Sequence, residues 1–309
     1  MSAPPTTFPV PRILYKALDS HKGTVHVARY SKGAATYVLT GGQDRKIKLW
    51  NRETGKEVAT YSGHGYEVLC VDVAHDNAKI ASCGGDRTAF LFDVTSGETI
   101  RRLSGHGGKI NVVQFNHDAS VLASGSFDSK VHLWDLKARS GQPIQSLEDS
   151  RDSIMTLHVG ATEIVAGSVD GHIRTYDLRK GKMCSDYIGH AVTSILPTAD
   201  SQTLLITTLD SIVRLMDRNN GTMLNTFVGH RNNDYRTRAC FGHGESTVIS
   251  GDEDGRIWAW DLLKGTPIGE QPPEKVHQKI VTWVEHHPTE AGEMISASAD
   301  GTVKIWRTS

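Results

Sequence analysis

The sequence predicts an all-β chain made of seven copies of one sheet-forming unit, and three observations predict it. An aspartate recurs at Asp44, Asp86, Asp128, Asp170, Asp210, Asp254 and Asp300, in steps of 42, 42, 42, 40, 44 and 46 residues. Six residues after each comes Trp50, Phe92, Trp134, Tyr176, Met216, Trp260 or Trp306, an offset that never varies. Around each aspartate lie short period-2 apolar runs broken by small and polar residues, the pattern of antiparallel strands joined by tight turns.

The stretch from Gly105 to Asp135 shows the unit most fully. Ile110, Val113 and Phe115 give a first strand, Leu122-Ala-Ser-Gly-Ser126 a second, and Val131-His-Leu-Trp-Asp135 a third after the turn at Asp128. One inserted residue would flip every later side chain to the other face, so the constant Asp-to-aromatic offset marks a rigid turn-plus-strand element. Upstream of each aspartate by 20 to 24 residues stands His21, His64, His106, Ser150, His190, His230 or His277, preceded by Gly in four copies. That interval varies, so it crosses a loop.

A period near 42 with Gly-His and Trp-Asp punctuation resembles the WD-repeat family over nearly the whole chain. The resemblance implies a seven-bladed β-propeller, one four-stranded blade per repeat around a central channel. Only three residues follow Trp306, too few for a fourth strand in the last blade. Ile13-Leu-Tyr-Lys-Ala-Leu18 stands before His21 as Glu57–Tyr61 stands before His64. The N-terminal strand is therefore expected to close the seventh blade and remove an open sheet edge. The domain expectation is a disordered tail over residues 1–11, with four prolines, and a single propeller over residues 12–309.

Composition narrows the function. Length alone would suggest about two domains, which the repeats override. With 34 basic and 35 acidic residues and a net charge of -1, nothing argues for a bulk electrostatic grip on nucleic acid, and no sequence-specific contact to it is expected. Cys70, Cys83, Cys184 and Cys240 show no C-x-x-C spacing, which suits reduced thiols in a reducing compartment. No stretch is long enough to span a membrane, and the proline-rich start is no signal peptide.

In the family a His, a hydroxyl, an Asp and a Trp form a buried hydrogen-bonded tetrad. The resemblance maps it onto His106, Ser124, Asp128 and Trp134, and likewise onto the first, sixth and seventh blades. Blade 2 keeps His64 and Ser82 but has Phe92. Blade 4 has Ser150, Ala166 and Tyr176, and blade 5 has Ile206 and Met216. Members are lost together, so blades 4 and 5 are expected to be the less rigid part of the ring. His, Ser and Asp could suggest a hydrolase triad, but the set repeats around the ring, whereas a nucleophile is unique. No catalytic residue is assigned and no enzyme activity is expected. No metal ligand set is assigned either: His286-His287 lacks a second ligand pair at zinc spacing and reads as a solvated turn. No phosphate-loop motif precedes a helix, so no cofactor is expected.

Binding is then the expected activity, argued from the top rim. The residues before each aspartate are Gln43, Gly85, Phe127, Val169, Leu209, Glu253 and Ala299. Nearby, at the starts of the inner strands, stand His26, Glu67, Leu69, Lys109, Asn111, Met155, Tyr235 and Arg236. Apolar rim residues suggest an interface, so Phe127, Met155, Val169 and Leu209 are the candidate anchors, flanked by the polar loop Arg231 to Arg238 with Tyr235 and Arg236. The alternative for each anchor is that a loop packs over it. Blade 6 carries an insertion over His230–Arg238, and Gly265–Val276, with three prolines, is a candidate exposed loop.

Tyr176-Asp-Leu-Arg179 resembles the [WY]-D-x-R pattern of propellers that serve as substrate receptors of cullin-type ubiquitin ligases, which would make Arg179 an adaptor contact; otherwise it is a solvated turn residue. Longer strings are similar to the mitogen-activated protein kinase organizer group of WD-repeat scaffolds. They include Tyr61-Ser-Gly-His-Gly-Tyr-Glu-Val-Leu69, Ala166-Gly-Ser-Val-Asp-Gly171, Ser185-Asp-Tyr-Ile-Gly189, Leu209-Asp-Ser-Ile-Val-Arg-Leu-Met-Asp217 and Gly229-His-Arg-Asn-Asn-Asp-Tyr235. That resemblance implies a scaffold whose partners are kinase-cascade components or spliceosome subunits. A monomeric propeller in cytoplasm and nucleus is expected.

Overall fold

The structure, a computed structural model, describes residues 9–138 and 140–308. Seven antiparallel sheets follow one another around a ring, as the repeats predict. Blade 1 runs Val25–Tyr30, Tyr37–Gly42, Ile47–Asn51 and Glu57–Tyr61 from the inside outward, and blade 3 runs Ile110–Phe115, Val121–Ser126, Val131–Asp135 and Gln145–Leu147. Each inner strand packs on the next, and Val281–His286 of blade 7 returns to Val25–Tyr30 of blade 1. Apolar side chains between blades, among them Phe92, Trp134 and Trp260, form the core. The only helical turn among the described residues is the three-residue 3-10 turn His243–Glu245.

The ring closes through its ends. Ile13–Asp19 pairs antiparallel with Thr302–Arg307 as the outer strand of blade 7, placing Leu14 opposite Trp306 and Leu18 opposite Val303. A charged clasp backs this seam. The buried Glu293 carboxylate accepts from Arg52 Nη1 at 2.9 Å, from Arg307 Nε at 2.8 Å and from the Tyr30 hydroxyl at 3.2 Å. Blade 1 is thereby tied to blade 7 at a site where an unpaired carboxylate would be costly. Residues 1–8 of the expected tail lie outside the described residues; within the rest, Pro11 is buried and Val10 packs against the cluster containing Met294 and Trp306.

Blade 6 departs from the four-stranded expectation. It has three strands, Ala239–Phe241, Thr247–Gly251 and Ile257–Asp261. The segment 265–276, expected as a loop leading to blade 7, instead covers the outer edge of blade 6 by isolated bridges, Trp260 to Pro267 and Arg256 to Lys275. Pro267, Pro272 and Pro273 have no N–H to donate, so no continuous ladder forms.

The Asp turn recurs in shape as well as sequence. The residue after each aspartate has a left-handed φ: Arg45, Arg87, Ser129 and Ser211 between 57° and 69°, and Gly171, Gly255 and Gly301 between 80° and 92°. In six blades the inner strand carries a bulge near its start, at Val25/Val27, Val68/Cys70, Ile110/Val112, Ile154/Thr156, Val192/Ser194 and Val281/Trp283. The six residues skipped are His26, Leu69, Asn111, Met155, Thr193 and Thr282. A bulge re-aims the side chain it leaves unpaired, and here that decides what faces the channel.

Candidate functional site

The tetrads fix the top face. In blade 3, His106 Nδ1 donates to Asp128 at 3.0 Å, its Nε2 accepts from Ser124 Oγ at 2.8 Å, and Trp134 Nε1 donates to the same hydroxyl at 2.8 Å. Blades 1 and 7 repeat this with His21, Thr40, Asp44 and Trp50, and with His277, Ser296, Asp300 and Trp306. Blade 2 keeps the His64, Ser82 and Asp86 contacts beside Phe92. Burial, and then the nearby His132, push His106 down to about 4, so the imidazole is neutral. Burial works against the Asp128 carboxylate, but His106 and the Gly107 N–H more than offset it and hold the group below the ordinary carboxylate range. His106, Asp128 and His132 bring ligand atoms within 4.8 Å of one another, yet both His106 nitrogens and His132 Nδ1, which meets Ser146 Oγ at 2.7 Å, are already hydrogen-bonded.

Two expectations about the tetrads need correction. Blade 6 does not form one. His230 is buried against the Trp260 ring with neither ring nitrogen hydrogen-bonded, and Trp260 Nε1 donates to Val228 O instead of Ser250. Asp252, two residues early, takes over: it accepts from the Arg256 N–H at 2.7 Å and from Trp258 Nε1 at 2.8 Å. Asp254 is left half-exposed beside Arg256. Nor are blades 4 and 5 left without a polar lock. Arg174 donates to both Asp170 oxygens, at 2.8 and 3.2 Å, and to Ser150 Oγ at 3.1 Å; Arg214 holds Asp210 at 2.5 and 3.0 Å. Arginine supplies the side-chain donors that His would have given, and in blade 4 the Arg151 and His172 N–H groups still donate to Asp170. The premise for softer blades 4 and 5 therefore fails. The signal was present: among residues four after each aspartate, only blades 4 and 5 have Arg.

The central channel opens on the top face as a cavity of about 540 Å³, within the range of small-ligand sites. All six bulge residues line it, together with Glu67, Lys109, Tyr235, Arg236 and Arg238. The blade 6 insertion enters it. Glu253 accepts three backbone N–H bonds, from Asn233, Asp234 and Tyr235, at 2.7, 2.7 and 3.2 Å, which pins the loop and turns Arg236 inward. Arg236 Nη1 donates to Asn111 O at 2.9 Å, from blade 6 to blade 3. Lower down, Arg29 pairs with Asp72 at 2.6 Å and lies 3.7 Å from Glu285, while Arg238 lies 3.9 Å from Glu285 and over the Trp283 ring at 4.2 Å.

The rim residues are in place. The backbone N–H before the Asp donates to the start of its own inner strand in six blades, as from Phe127 to Lys109 O, Val169 to Ser153 O and Leu209 to Ala191 O, and in blade 6 from Glu253 to Arg231 O in the insertion. Met155, Tyr235 and Arg236 meet in the cavity wall. Phe127, 58% exposed, stands on the rim with Lys109 Nζ 5.6 Å from its ring. Val169 and Leu209 are half-buried and, like Phe127, lie outside that wall. Tyr66, 64% exposed in the same kind of loop as Tyr235, was missed because its neighbours read as repeat punctuation. Arg179 is exposed at the far end of His172–Asp177 from the Asp170 turn, hence on the opposite face. His286 is half-buried and His287 buried, capping the Thr289 and Glu290 N–H groups through Nδ1, so this pair is not the solvated turn expected.

Among known proteins, the family described as WD domain, G-beta repeat matches residues 13–51, 55–93, 97–135, 221–261 and 272–307. The unmatched span between 135 and 221 holds both Arg–Asp pairs, Arg174 with Asp170 and Arg214 with Asp210. WD repeat domain-containing protein 83 of Danio rerio is 48% identical over 96% of this chain and 92% of its own length, and that of Homo sapiens is 45% identical over 96% and 93%. An uncharacterized WD repeat-containing protein of Schizosaccharomyces pombe is 42% identical over 94% and 97%.

Proposed function

The chain belongs to the WD-repeat family, and from that premise we propose that it is a non-enzymatic scaffold that assembles multiprotein complexes through its top face. The observation that carries this is the set of exposed aromatics, Tyr66, Phe127 and Tyr235, in the loops and turns of blades 2, 3 and 6 on the face where the channel opens. Aromatic anchors around a polar centre are what energetic hot spots are made of. Met155 and Arg236 stand inside this ring, with Val169 and Leu209 on its blade 4 and 5 side. The complexes we assign to it are mitogen-activated protein kinase modules or the spliceosome, with kinase-cascade components or spliceosome subunits as partners, in cytoplasm and nucleus, the propeller itself being monomeric. A second reading, a cullin-type ligase receptor, is favoured by the exposure of Arg179 on the opposite face.

Crosslinking mass spectrometry on nuclear and cytosolic complexes tests this. Phe127→Asp combined with Tyr235→Asp leaves the fold intact and lowers recovery of those partners at least tenfold, about 1.4 kcal/mol. Undiminished recovery, with crosslinks gathered near Arg179, would transfer the interface to the other face.

A further inference from the structure

The top-face cavity contains more positive charge than the scaffold needs. Arg29, Arg236 and Arg238 line it, and Asp72 and Glu285 face only Arg29 and Arg238. One positive charge remains, that of Arg236. Glu67 does not supply the balance: it is held by His26 at 3.1 Å, with Lys109 beside it. Arg236 has no carboxylate partner among the described residues; its one hydrogen bond goes to a neutral carbonyl, Asn111 O. Arg238 Nε is buried with no partner.

Such cations are expensive. A guanidinium shielded from water loses hydration that a neutral carbonyl only partly replaces. Burial lowers Arg236 and Arg238 below the ordinary arginine range, whereas Asp72 and Glu285 raise Arg29 above it despite its burial. The same potential reaches Cys70, whose thiol is lowered first by its hydrogen bond with the cross-strand Cys83 and then by Arg236. Neutral polar groups complete the wall: Asn111, Thr156, Thr193 and Ser194, from blades 3, 4 and 5.

We propose that this cavity is a binding site for a phosphate monoester dianion, held between Arg236 and Arg238. The uncompensated charge favours an anion, the guanidinium fork matches phosphate oxygens, and 540 Å³ admits a phosphoryl group with the chain that bears it. The donor is either a phosphorylated side chain of a partner on the aromatic rim or a free small phosphate; the first source rests on the top-face reading above, the site itself does not.

Isothermal titration of the full chain at constant ionic strength tests the site without any partner. The probes are inorganic phosphate, N-acetyl phosphoserine amide and its unphosphorylated form. Saturable binding of either phosphate is expected, weakened at least tenfold by Arg236→Gln and by Arg238→Gln and unchanged by Arg179→Ala. Tighter binding of the phosphoserine probe assigns a protein side chain as donor; tighter binding of inorganic phosphate assigns a free one. If Arg238→Gln misfolds, Arg236→Gln alone carries the comparison. No saturable binding, or binding that both arginine variants retain in full, overturns the proposal. Loss of partners in the Phe127→Asp, Tyr235→Asp protein tests the scaffold reading separately.

Discussion

Arg174 grips Asp170 with both ends of its guanidinium, at 2.8 and 3.2 Å, in a blade that has lost the histidine, the hydroxyl and the tryptophan that blade 3 keeps. One side chain thus replaces a three-residue network. Arg214 and Asp210 repeat the substitution in blade 5. Two adjacent blades have changed the chemistry of the lock and kept its geometry, since the turn after each aspartate is still left-handed at Gly171 and Ser211.

Arg174→Leu should therefore destabilise the propeller by about 2–3 kcal/mol. That is below the ~3–5 kcal/mol of a fully buried pair, because Asp170 keeps some solvent contact. Urea unfolding measures it, and a loss within experimental error would mean that the pair is ornamental.

Aspartates at the same repeat position should differ in weight. Asp128→Ala strands His106 and the Gly107 N–H and should cost about 1–3 kcal/mol. Asp254→Ala, outside any tetrad, should change stability by no more than about 0.5 kcal/mol. Equal losses in paired denaturation curves would restore Asp254 to a structural role.

Burial pushes His230 down to about 4, against the opposing pull of Asp210 and Glu253. The unfolded chain therefore binds a proton that the folded chain refuses between about pH 6.5 and pH 4, and stability falls as pH drops through that window. His106 and His158, also pushed down to about 4 by burial, add to the decline. His230→Phe should leave the pH 7 melting temperature unchanged or raise it, and should make the loss between pH 7 and pH 5 smaller. Parallel melts for parent and variant at both pH values would contradict this.

Deleting residues 1–18 removes the outer strand of blade 7 and exposes the partner edge of Thr302–Arg307. The melting temperature should fall on the order of 10 °C, the shift about 4 kcal/mol produces at roughly 2–4 °C per kcal/mol. A truncated chain as stable as the parent, followed by calorimetry, would show that the clasp at Glu293 closes the ring alone.

What the sequence determined by itself was everything periodic. Strand pattern, Asp turns and aromatic offset are short-range features, so seven blades, their closure by Ile13–Leu18 and the rim position before each Asp could be read from residue order. Three complete tetrads could be read as well, because their hydroxyl, Asp and Trp stand at fixed offsets with a His upstream. The tertiary structure decided the rest. Asp252 displaced Asp254 in blade 6 because only packing reveals which carboxylate meets the turn. The bulges turned His26, Asn111 and Met155 into one wall, and folding placed Arg236 over Asn111, 125 residues away in sequence. Those contacts are made across the ring, between blades with no local constraint on each other, so no spacing in the chain encodes them.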